Sequence, residues 1–399
     1  MPHVPSSDAA RTRAIKRYVW ARDQRFVATC ALGVEPLLTS EVAALPGAVT
    51  VAPRPGGIVF DAPFDTLYRA LLTLRTAESL RVVLAPSVAA TTYPMVHDQL
   101  TRVRWSLWLP ERCAITVRVV SRASRLRDAA GLEHALRGAL RRHGIDCDAD
   151  DRDDDAPPFT VHLRIEQDRA STSLDLGGAL YRRSGDKWVS RTTIRETTAA
   201  ALVRHADVPR ADLVLDPFCG SGTLLAEALE ATLGLPPGRR RTPPFAASPA
   251  WKLERARHAA RQLGAHETVA PPRMLGRDAD ERAVAITRRN LEAAGLLEHV
   301  ALETGRAQDL DLAALAQGAG STTPLLISNP PYGKAATALG APPDELLRDV
   351  LANAAGWRFA LLFPDPDVLA NHPKVQVEQR LPVVTGGLRN AFVLGSVRR

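Results

Sequence analysis

The chain has 399 residues, of which 45% are hydrophobic, a composition typical of a globular protein with enough length for two or three domains. Its 51 Lys and Arg residues exceed its 44 Asp and Glu residues, so the formal net charge is +7, and this excess favours a polyanionic partner such as nucleic acid. No apolar run approaches the roughly 18 residues of a membrane span, and the first 25 residues lack the apolar core of a secretion signal, which predicts a soluble protein without a membrane partner.

The N-terminal part predicts a small α+β unit after a loose segment over residues 1–25. "FVATCALG" (26–33) reads as a strand and "VEPLLTSEVAAL" (34–45) as a helix with apolar residues at helical spacing. "GGIVF" predicts a second strand, "FDTLYRALLTL" (64–74) repeats the helical pattern, and "SLRVVLAP" returns to strand. These elements place a first domain at residues 26–85.

A second α+β unit is predicted over residues 86–185. "AITVRVVS" alternates apolar and polar residues, and "GLEHALRGALRRHG" carries leucines on one helical face, with Gly144 available to end the helix in the left-handed conformation. "FTVHLRIEQDRASTSLDL" (159–176) alternates on both sides of "QDRA", as expected for a hairpin.

Seven aspartates lie between positions 146 and 155, in "DCDADDRDDD". This run lacks the glycine and the distal glutamate of a calcium-binding loop, and a solvated connector that ends in prolines explains it better. The four cysteines, Cys30, Cys113, Cys147 and Cys219, form no C-x-x-C pair. They therefore indicate neither a disulfide framework nor a zinc site, and the expected environment is the reducing cytoplasm. No metal is predicted.

From about residue 190, strands alternate with long helical patterns, which is typical of a parallel, doubly wound sheet. "DLVLDPFCGSGTLLAEALEA" (212–231) reads as an apolar strand, an acid, a glycine-containing turn and a helix. The full G-x-G-x-x-G of a dinucleotide fold is absent, because Leu225 occupies the third glycine position. Asp216 at the end of the strand suits a ligand with a positive amino group, and Gly220 and Gly222 allow that ligand to approach the backbone closely.

Three further segments end in polar residues at the same predicted edge of the sheet, and two of them are strands that follow in sequence; the third is "SNPPYGK", described in the next paragraph. The next strand has Asp278 at its tip, where doubly wound folds bind ribose hydroxyls, and Asp280 can cap the following helix by itself. "ALETGRAQDL" (301–310) ends a third strand. The carboxyl edge of a parallel sheet is where ligands bind, so these residues are candidates for one site.

"SNPPYGK" (328–334) follows the apolar run "PLLI". Asn329 supplies a carbonyl and two amide protons, while the two prolines remove backbone donors, so oxygen acceptors predominate there. Tyr332 adds a flat ring suited to stacking. A strand followed by a proline turn is the alternative interpretation, since Asn-Pro and Pro-Pro are common in loops.

The motifs D-P-F-C-G-S-G-T (216–223) and N-P-P-Y (329–332) resemble those of class I S-adenosylmethionine-dependent methyltransferases that modify an exocyclic amine of a base. The N-terminal half is similar to the ferredoxin-like and THUMP modules of guanine-N2 RNA methyltransferases, on "FVATCALGVEPLLTSEV", "SLDLGGALYRRSG" and "IRETTAAALV". "LGLPPGRRRTPPFAASPAW" (233–251) resembles the insertion of bacterial enzymes that act on large-subunit ribosomal RNA.

This resemblance implies an α/β chain with a C-terminal Rossmann-like class I methyltransferase domain, preceded by α+β ferredoxin-like and THUMP modules. The implied domains are a loose segment 1–25, a ferredoxin-like domain 26–85, a THUMP-like RNA-binding domain 86–185 and an S-adenosylmethionine-dependent methyltransferase domain 190–399.

The resemblance also implies roles for individual residues. The residues implied to bind S-adenosylmethionine are Asp216, Pro217, Phe218, Cys219, Gly220, Gly222, Thr223, Asp278, Ala279, Ala307 and Asn329. Those implied to hold the target base are Asn329, Pro330, Pro331 and Tyr332. Basic residues expected to contact RNA are Arg182, Arg183, Arg239, Arg240, Arg241 and Lys334. One position departs from the family pattern, because Arg306 stands where an acid usually accepts from the adenine amino group. Either Asp309 replaces that acid, or the backbone alone reads the adenine.

The expected activity is an S-adenosylmethionine-dependent RNA (guanine-N2-)-methyltransferase, with S-adenosylhomocysteine as the product and rRNA favoured over tRNA. Two alternatives remain open: an adenine-N6 methyltransferase of RNA or DNA, and a non-catalytic RNA-binding or ribosome-assembly factor. Asn at position 329 and the THUMP-like half favour guanine and RNA. The expected partner is RNA, and the expected state is a monomer or weak dimer in the cytoplasm.

Overall fold

The computed structural model describes residues 7–147, 157–183, 187–188, 193–263, 270–331, 343–364, 367–370 and 372–398. The chain divides into two compact units, each built on a seven-stranded sheet. The first unit contains Met1–Thr29, Thr39–Leu180 and Arg241–Gln262, and the second contains Cys30–Leu38, Tyr181–Arg240 and Leu263–Arg399. Among the described residues, no helix is long and apolar enough to cross a bilayer.

The regular elements alternate along most of the chain. The strands are β1 Asp23–Thr29, β2 Val49–Arg54, β3 Gly57–Pro63, β4 Ser79–Ala89, β5 Ile115–Arg122, β6 Phe159–Glu166, β7 Arg169–Asp175, β8 Leu213–Asp216, β9 Arg273–Asp278, β10 Val300–Thr304, β11 Pro324–Ser328, β12 Arg358–Phe363, β13 Val375–Thr385 and β14 Leu388–Val397. The helices are α1 Asp8–Ile15, α2 Glu35–Ala43, α3 Thr66–Thr73, α4 Tyr93–Thr101, α5 Ala129–Arg142, α6 Glu196–His205, α7 Thr223–Thr232, α8 Leu253–Leu263, α9 Glu281–Ala294, α10 Leu312–Ala319, α11 Pro343–Ala352 and α12 Asp367–Ala370.

The sheet of the first unit has the strand order β2-β3-β1-β4-β7-β6-β5, in which only β5 and β6 run parallel. Its strand β4 pairs with β1 through its first half and with β7 through most of its length. The expected boundary between residues 85 and 86 therefore falls inside a strand that belongs to both halves of the sheet. The predicted hairpin at 159–176 is present as β6 and β7, joined by Gln167 and Asp168 in left-handed backbone conformations.

Residues 241–262 belong to the first unit although the sequence places them within the predicted catalytic domain. Phe245 is fully buried, and its ring centroid lies 6.3 Å from that of Trp108. The ring of Trp251 lies 4.7 Å from that of Tyr68. This segment therefore completes an aromatic core of the first unit.

The sheet of the second unit has the order β10-β9-β8-β11-β12-β14-β13, and its first five strands are parallel. β14 runs antiparallel to both of its neighbours. Every residue of β8 and β11 is buried, as expected for apolar strands of a parallel sheet covered on both faces. From β8 the chain continues to β9 and β10 on one side, and it then returns to β11 on the other. Such a reversal opens a crevice at the carboxyl ends of β8 and β11, where ligands of doubly wound folds bind.

Candidate functional site

Asp216 ends β8 at this crevice, and it is only 2% exposed. Its Oδ1 accepts hydrogen bonds from the Ser328 hydroxyl, 2.7 Å away, and from the backbone N–H of Phe218, 3.2 Å away. Burial raises the pKa of Asp216 to about 7, although these two hydrogen bonds act in the opposite direction. Asp216 is thus a buried acid, and a cationic ligand bound beside it would stabilise its ionised form.

The glycine-containing turn after β8 requires its glycines. Gly220 and Gly222 have φ values of +57° and +77°, in the left-handed region that other residues rarely adopt. A Cβ on Gly222 would lie 2.8 Å from Cγ2 of Thr287 on α9. The Thr287 hydroxyl also donates a 2.8 Å hydrogen bond to the Gly220 carbonyl. The turn is therefore fixed by α9 and leads directly into α7.

Asp278 ends β9 beside the same turn. Its Oδ2 accepts a 3.0 Å hydrogen bond from the Gly220 N–H, and its Oδ1 accepts a 3.0 Å hydrogen bond from the Asp280 N–H. A carboxylate oxygen accepts two hydrogen bonds, so each oxygen retains an acceptor position for a ligand hydroxyl. The prediction that Asp280 can cap the following helix is confirmed, because its side chain accepts a hydrogen bond from the Arg282 N–H at the start of α9.

Asn329 follows β11 directly, next to Ser328 and hence to the Asp216 hydrogen bond. Its Oδ1 is buried and has no hydrogen-bond partner among the described residues. Buried acceptors are rarely left without a donor in folded proteins. This oxygen is therefore available to a donor that the ligand brings. Pro330 is buried beside it, whereas Tyr332 and Lys334 lie outside the described residues.

The remaining residues expected at the cofactor lie on the same strand ends. Pro217 and Cys219 are buried, and Phe218 packs against the core of the second unit. Burial raises the pKa of the Cys219 thiol, so this side chain stays protonated and is no nucleophile. The other two residues differ in exposure: Ala279 is exposed just beyond β9, and Ala307 is buried.

The turn after β10 contains Arg306, which departs from the family pattern, and Asp309, the candidate replacement for the missing acid. Ala307 opens a single 3₁₀ turn, Ala307–Asp309, and Arg306 precedes it in extended conformation. The side chains of Arg306 and Asp309 are exposed. Both ways of reading the adenine therefore remain predictions.

Four polar residues that the sequence analysis did not select support the glycine-containing turn and the start of α7. They are Thr287, described above, and Asn290, Lys187 and Glu196. Asn290 donates to the Ser221 carbonyl, and it also exchanges hydrogen bonds with the backbone N–H and carbonyl of Trp188. Lys187 donates to Thr223 Oγ1 at 2.7 Å and to Glu196 Oε1 at 2.9 Å. The i, i+3 spacing of Thr287 and Asn290 on α9 places them on one helix face, which is the signal that could have revealed this pair.

The structure corrects the expectation that Arg183 contacts RNA. Arg183 is 5% exposed, and its Nε lies 2.7 Å from Oε1 of the equally buried Glu227. A guanidinium held inside the protein in this way cannot reach a phosphate. Arg182, by contrast, is exposed.

The arginine run at 239–241 also has partners within the protein. Arg239 and Arg240 form ion pairs with Glu230 at 2.8 Å and 3.3 Å, and Arg241 donates to the Leu71 carbonyl at 2.8 Å. The side chains of Arg239 and Arg240 are 21% and 28% exposed, so a phosphate contact would compete with these ion pairs. Their role toward RNA stays a prediction.

The strand order, the glycine turn after β8 and the acid and amide groups at the strand tips are those of the class I methyltransferase fold. Among the described residues, no group of three or more His, Cys, Asp or Glu side chains could hold a metal ion. Residues 186–359 match the family model described as RMKL-like, methyltransferase domain, and residues 25–82 match the RlmL ferredoxin-like domain. Two segments of the chain are therefore similar to these two domains, in the order ferredoxin-like and then methyltransferase.

Individual relatives agree with these models. The chain is 30% identical over 389 residues to the ribosomal RNA large subunit methyltransferase K/L of Syntrophotalea carbinolica, an alignment that covers 91% of this chain and 52% of that protein. The chain thus spans about half the length of the curated relatives it matches. A possible methylase from Clostridium difficile 630 has the same fold, with a TM-score of 0.80, 20% identity and coverage of 95% of this chain and 99% of that one. The structure of SMU.472 complexed with SAH gives a TM-score of 0.79, 23% identity and the same coverage.

Proposed function

We propose that this chain transfers a methyl group from S-adenosylmethionine to the exocyclic N2 of a guanine in structured RNA, with ribosomal RNA as the favoured substrate. The observation that carries the proposal is the buried Oδ1 of Asn329 after β11, which has no hydrogen-bond partner among the described residues. Asn329 follows Ser328, whose hydroxyl bonds to the Asp216 carboxylate. The similarity to the ribosomal RNA large subunit methyltransferase K/L supports ribosomal RNA as the substrate class.

The residues at the crevice fit the chemical groups of the cofactor. The ionised Asp216 would bind the cationic amino group of the methionine portion, and the glycine turn would admit that portion close to the backbone. The free acceptor positions of Asp278 would bind the ribose hydroxyls. Ala279 and Ala307 would contact the adenine ring. When bound, S-adenosylmethionine supplies an electrophilic methyl group on a sulfonium.

The role of Asn329 follows from the chemistry of the acceptor amine. The lone pair of an exocyclic amine is delocalised into the base, so the amine is a poor nucleophile until its geometry is fixed. The Asn329 Oδ1 and the Pro330 carbonyl would accept hydrogen bonds from the two N–H groups of the amine and direct its lone pair toward the methyl group. Alignment and electrostatic complementarity of this kind contribute several kcal/mol each. The released proton then passes to solvent, without a strong base from this chain.

The substrate side of the proposal includes residues that the geometry does not test. Tyr332 would stack on the target base and offset the few kcal/mol needed to extrude it from a helix. Residues 86–185 would act as a THUMP-like RNA-binding module, and the protein would work in the cytoplasm as a monomer or weak dimer.

Nucleoside mass spectrometry of total RNA tests the proposal, using cells that contain the gene, lack it, or carry the Asn329→Ala variant. We expect N2-methylguanosine to fall in the deletion strain, to be restored by the wild-type gene and to stay low with the variant. A selective loss of N6-methyladenosine would identify an adenine-N6 enzyme instead. If no methylated nucleoside changes and the purified protein does not bind S-adenosylmethionine, the chain is an RNA-binding or assembly factor.

A further inference from the structure

Three arginines converge on one tyrosine in the first unit. The guanidinium carbon of Arg104 lies 3.5 Å from the centroid of the Tyr18 ring, and those of Arg17 and Arg22 each lie 5.2 Å from it. We call these four residues the Tyr18 cluster. Arg104 is 86 residues away from Tyr18 in sequence, so the fold assembles the cluster.

The Tyr18 cluster lacks the carboxylates that neutralise arginines elsewhere in this protein. Arg17, Arg22 and Arg104 form no ion pair within the part of the chain that the structure describes. Other exposed arginines do, as in the 2.8 Å pair of Arg25 with Asp61. Like charges held together repel one another, so an anion that binds among them relieves this repulsion.

Local structure fixes the positions of the cluster. Tyr18 lies in a π-helical turn, Lys16–Trp20, and such turns occur frequently at functional sites. The Gln24 side-chain amide donates to the carbonyls of Tyr18 and Val19, at 3.1 Å and 3.0 Å, and so holds the turn against β1. Arg104 precedes a 3₁₀ turn whose first residue, Trp105, is fully buried. Arg17 and Arg104 are therefore attached to backbone segments whose positions are fixed by these contacts.

Positive charge continues beyond this one ring. Lys252 Nζ lies 4.3 Å from the centroid of the Trp20 ring, two residues after Tyr18, and it forms no ion pair among the described residues. Arg255 also approaches the Trp20 ring, but Asp65 pairs with it. A surface with four unneutralised cations around two neighbouring rings suits a ligand with several negative charges better than a single phosphate.

We propose that the Tyr18 cluster is a binding site for backbone phosphates of RNA, an inference that rests on the RNA substrate proposed above. Guanidinium groups donate paired hydrogen bonds to phosphate oxygens, and a fixed group of three can hold adjacent phosphates. Arg104, which lies over the ring, and the charges of Arg17 and Arg22 lower the pKa of the Tyr18 phenol.

The test measures RNA affinity by fluorescence anisotropy of a labelled ribosomal RNA fragment over a series of KCl concentrations. The test variant is Arg17→Ala/Arg22→Ala/Arg104→Ala. Each lost phosphate contact reduces the slope of log affinity against log salt by about 0.7 to 0.9, so we expect a reduction of about two units. Arg17→Lys/Arg22→Lys/Arg104→Lys should retain most of the slope, because the charges remain.

The matched control is Arg25→Ala/Arg164→Ala/Arg210→Ala, which removes three exposed arginines that pair with Asp61, Glu166 and Asp207. It changes the net charge equally and should leave the slope within error of wild type. An unchanged slope in the test variant, or an equal reduction in the control, would overturn the proposal.

The outcome for this site is separable from the outcome for the proposed function. Normal methylation and cofactor affinity with an unchanged salt slope would refute the Tyr18 cluster alone. A reduced slope without any methylated nucleoside would refute the methyltransferase proposal and leave the cluster as an RNA-binding site.

Discussion

The Ser328 hydroxyl donates a 2.7 Å hydrogen bond to the Asp216 carboxylate, across the boundary between β11 and β8. Ser328 directly precedes Asn329, the residue proposed to hold the target amine, while Asp216 is proposed to hold the cofactor. The residues proposed to hold the cofactor and the base are therefore connected through a buried hydrogen bond. Because both partners are buried, protonation of Asp216 should weaken the hydrogen bond that holds Ser328 at the end of β11, next to Asn329.

The raised pKa of Asp216 predicts that cofactor affinity depends on pH. The carboxyl is protonated below about pH 7 and ionised above it, and only the ionised form attracts a cationic amino group. The association constant for S-adenosylmethionine should therefore increase by up to about tenfold per pH unit below pH 7 and level off above it. Calorimetry in buffers of different ionisation enthalpy should show that binding releases a proton near pH 6.

Two variants check the assignment of this proton to Asp216. Asp216→Asn should bind the cofactor weakly at every pH and lose the pH dependence. Ser328→Ala removes a hydrogen bond that lowers the pKa of Asp216, so the midpoint should move to higher pH. A pH dependence that survives in Asp216→Asn would assign the proton to another group.

Asn329→Ala should reduce kcat by on the order of 10² to 10³, because it removes an acceptor that acts on the amine in the transition state. Cofactor affinity should change little, since this acceptor is proposed to act on the base amine and not on the cofactor. Single-turnover methylation and a cofactor titration separate the two effects. A comparable loss of cofactor affinity would place Asn329 at the cofactor instead of at the base.

Gly222→Ala should destabilise the second unit and abolish cofactor binding, and Gly234→Ala provides a matched control. Both glycines have a left-handed φ, at +77° and +64°, but only at Gly222 would a Cβ meet a neighbouring atom. The backbone cost common to both is about 1–2 kcal/mol, and the overlap with Thr287 should raise the cost at Gly222 to about 3 kcal/mol. Urea unfolding measures the difference. Thr287→Ser removes the overlapping methyl group, so Gly222→Ala/Thr287→Ser should be more stable to urea than Gly222→Ala alone.

Arg183→Ala should lower the free energy of unfolding by about 3–5 kcal/mol, because it leaves the buried Glu227 without its 2.7 Å partner. Arg183→Met/Glu227→Leu removes both charges and should be more stable than the single variant. Where the single variant still folds, the salt dependence of its RNA affinity should equal that of wild type. A reduced salt slope would restore Arg183 as an RNA contact.

The sequence predicted best those elements whose pattern is local. The parallel core strands are continuous apolar runs, the β6–β7 hairpin alternates on both sides of its turn, and Gly144 adopts the expected left-handed conformation after its helix. The strands that ended in acids or Asn-Pro-Pro were placed correctly at one sheet edge, because parallel strands share their carboxyl end.

Contacts between distant segments were beyond the sequence. The sequence around Arg183 does not indicate that this residue is buried in an ion pair with Glu227, 44 residues later in the chain. Strand β2 was missed because nearly all of its residues are exposed, which leaves no alternation to detect. The sequence assigned no role to Ser328, because its hydrogen-bond partner Asp216 lies 112 residues earlier in the chain. The Tyr18 cluster likewise depends on Arg104, which no local pattern connects to residue 18.

The placement of residues 241–262 in the first unit has a consequence during protein synthesis. The aromatic core that contains Tyr68 and Trp108 is closed by Phe245 and Trp251, which are translated more than 130 residues after Trp108. A nascent chain therefore exposes this apolar surface to the ribosome exit region and to chaperones while β8 and α7 are still being made. The first unit reaches its final packing only after the glycine turn has emerged from the ribosome, so a chain truncated before residue 245 would remain a client of the folding machinery.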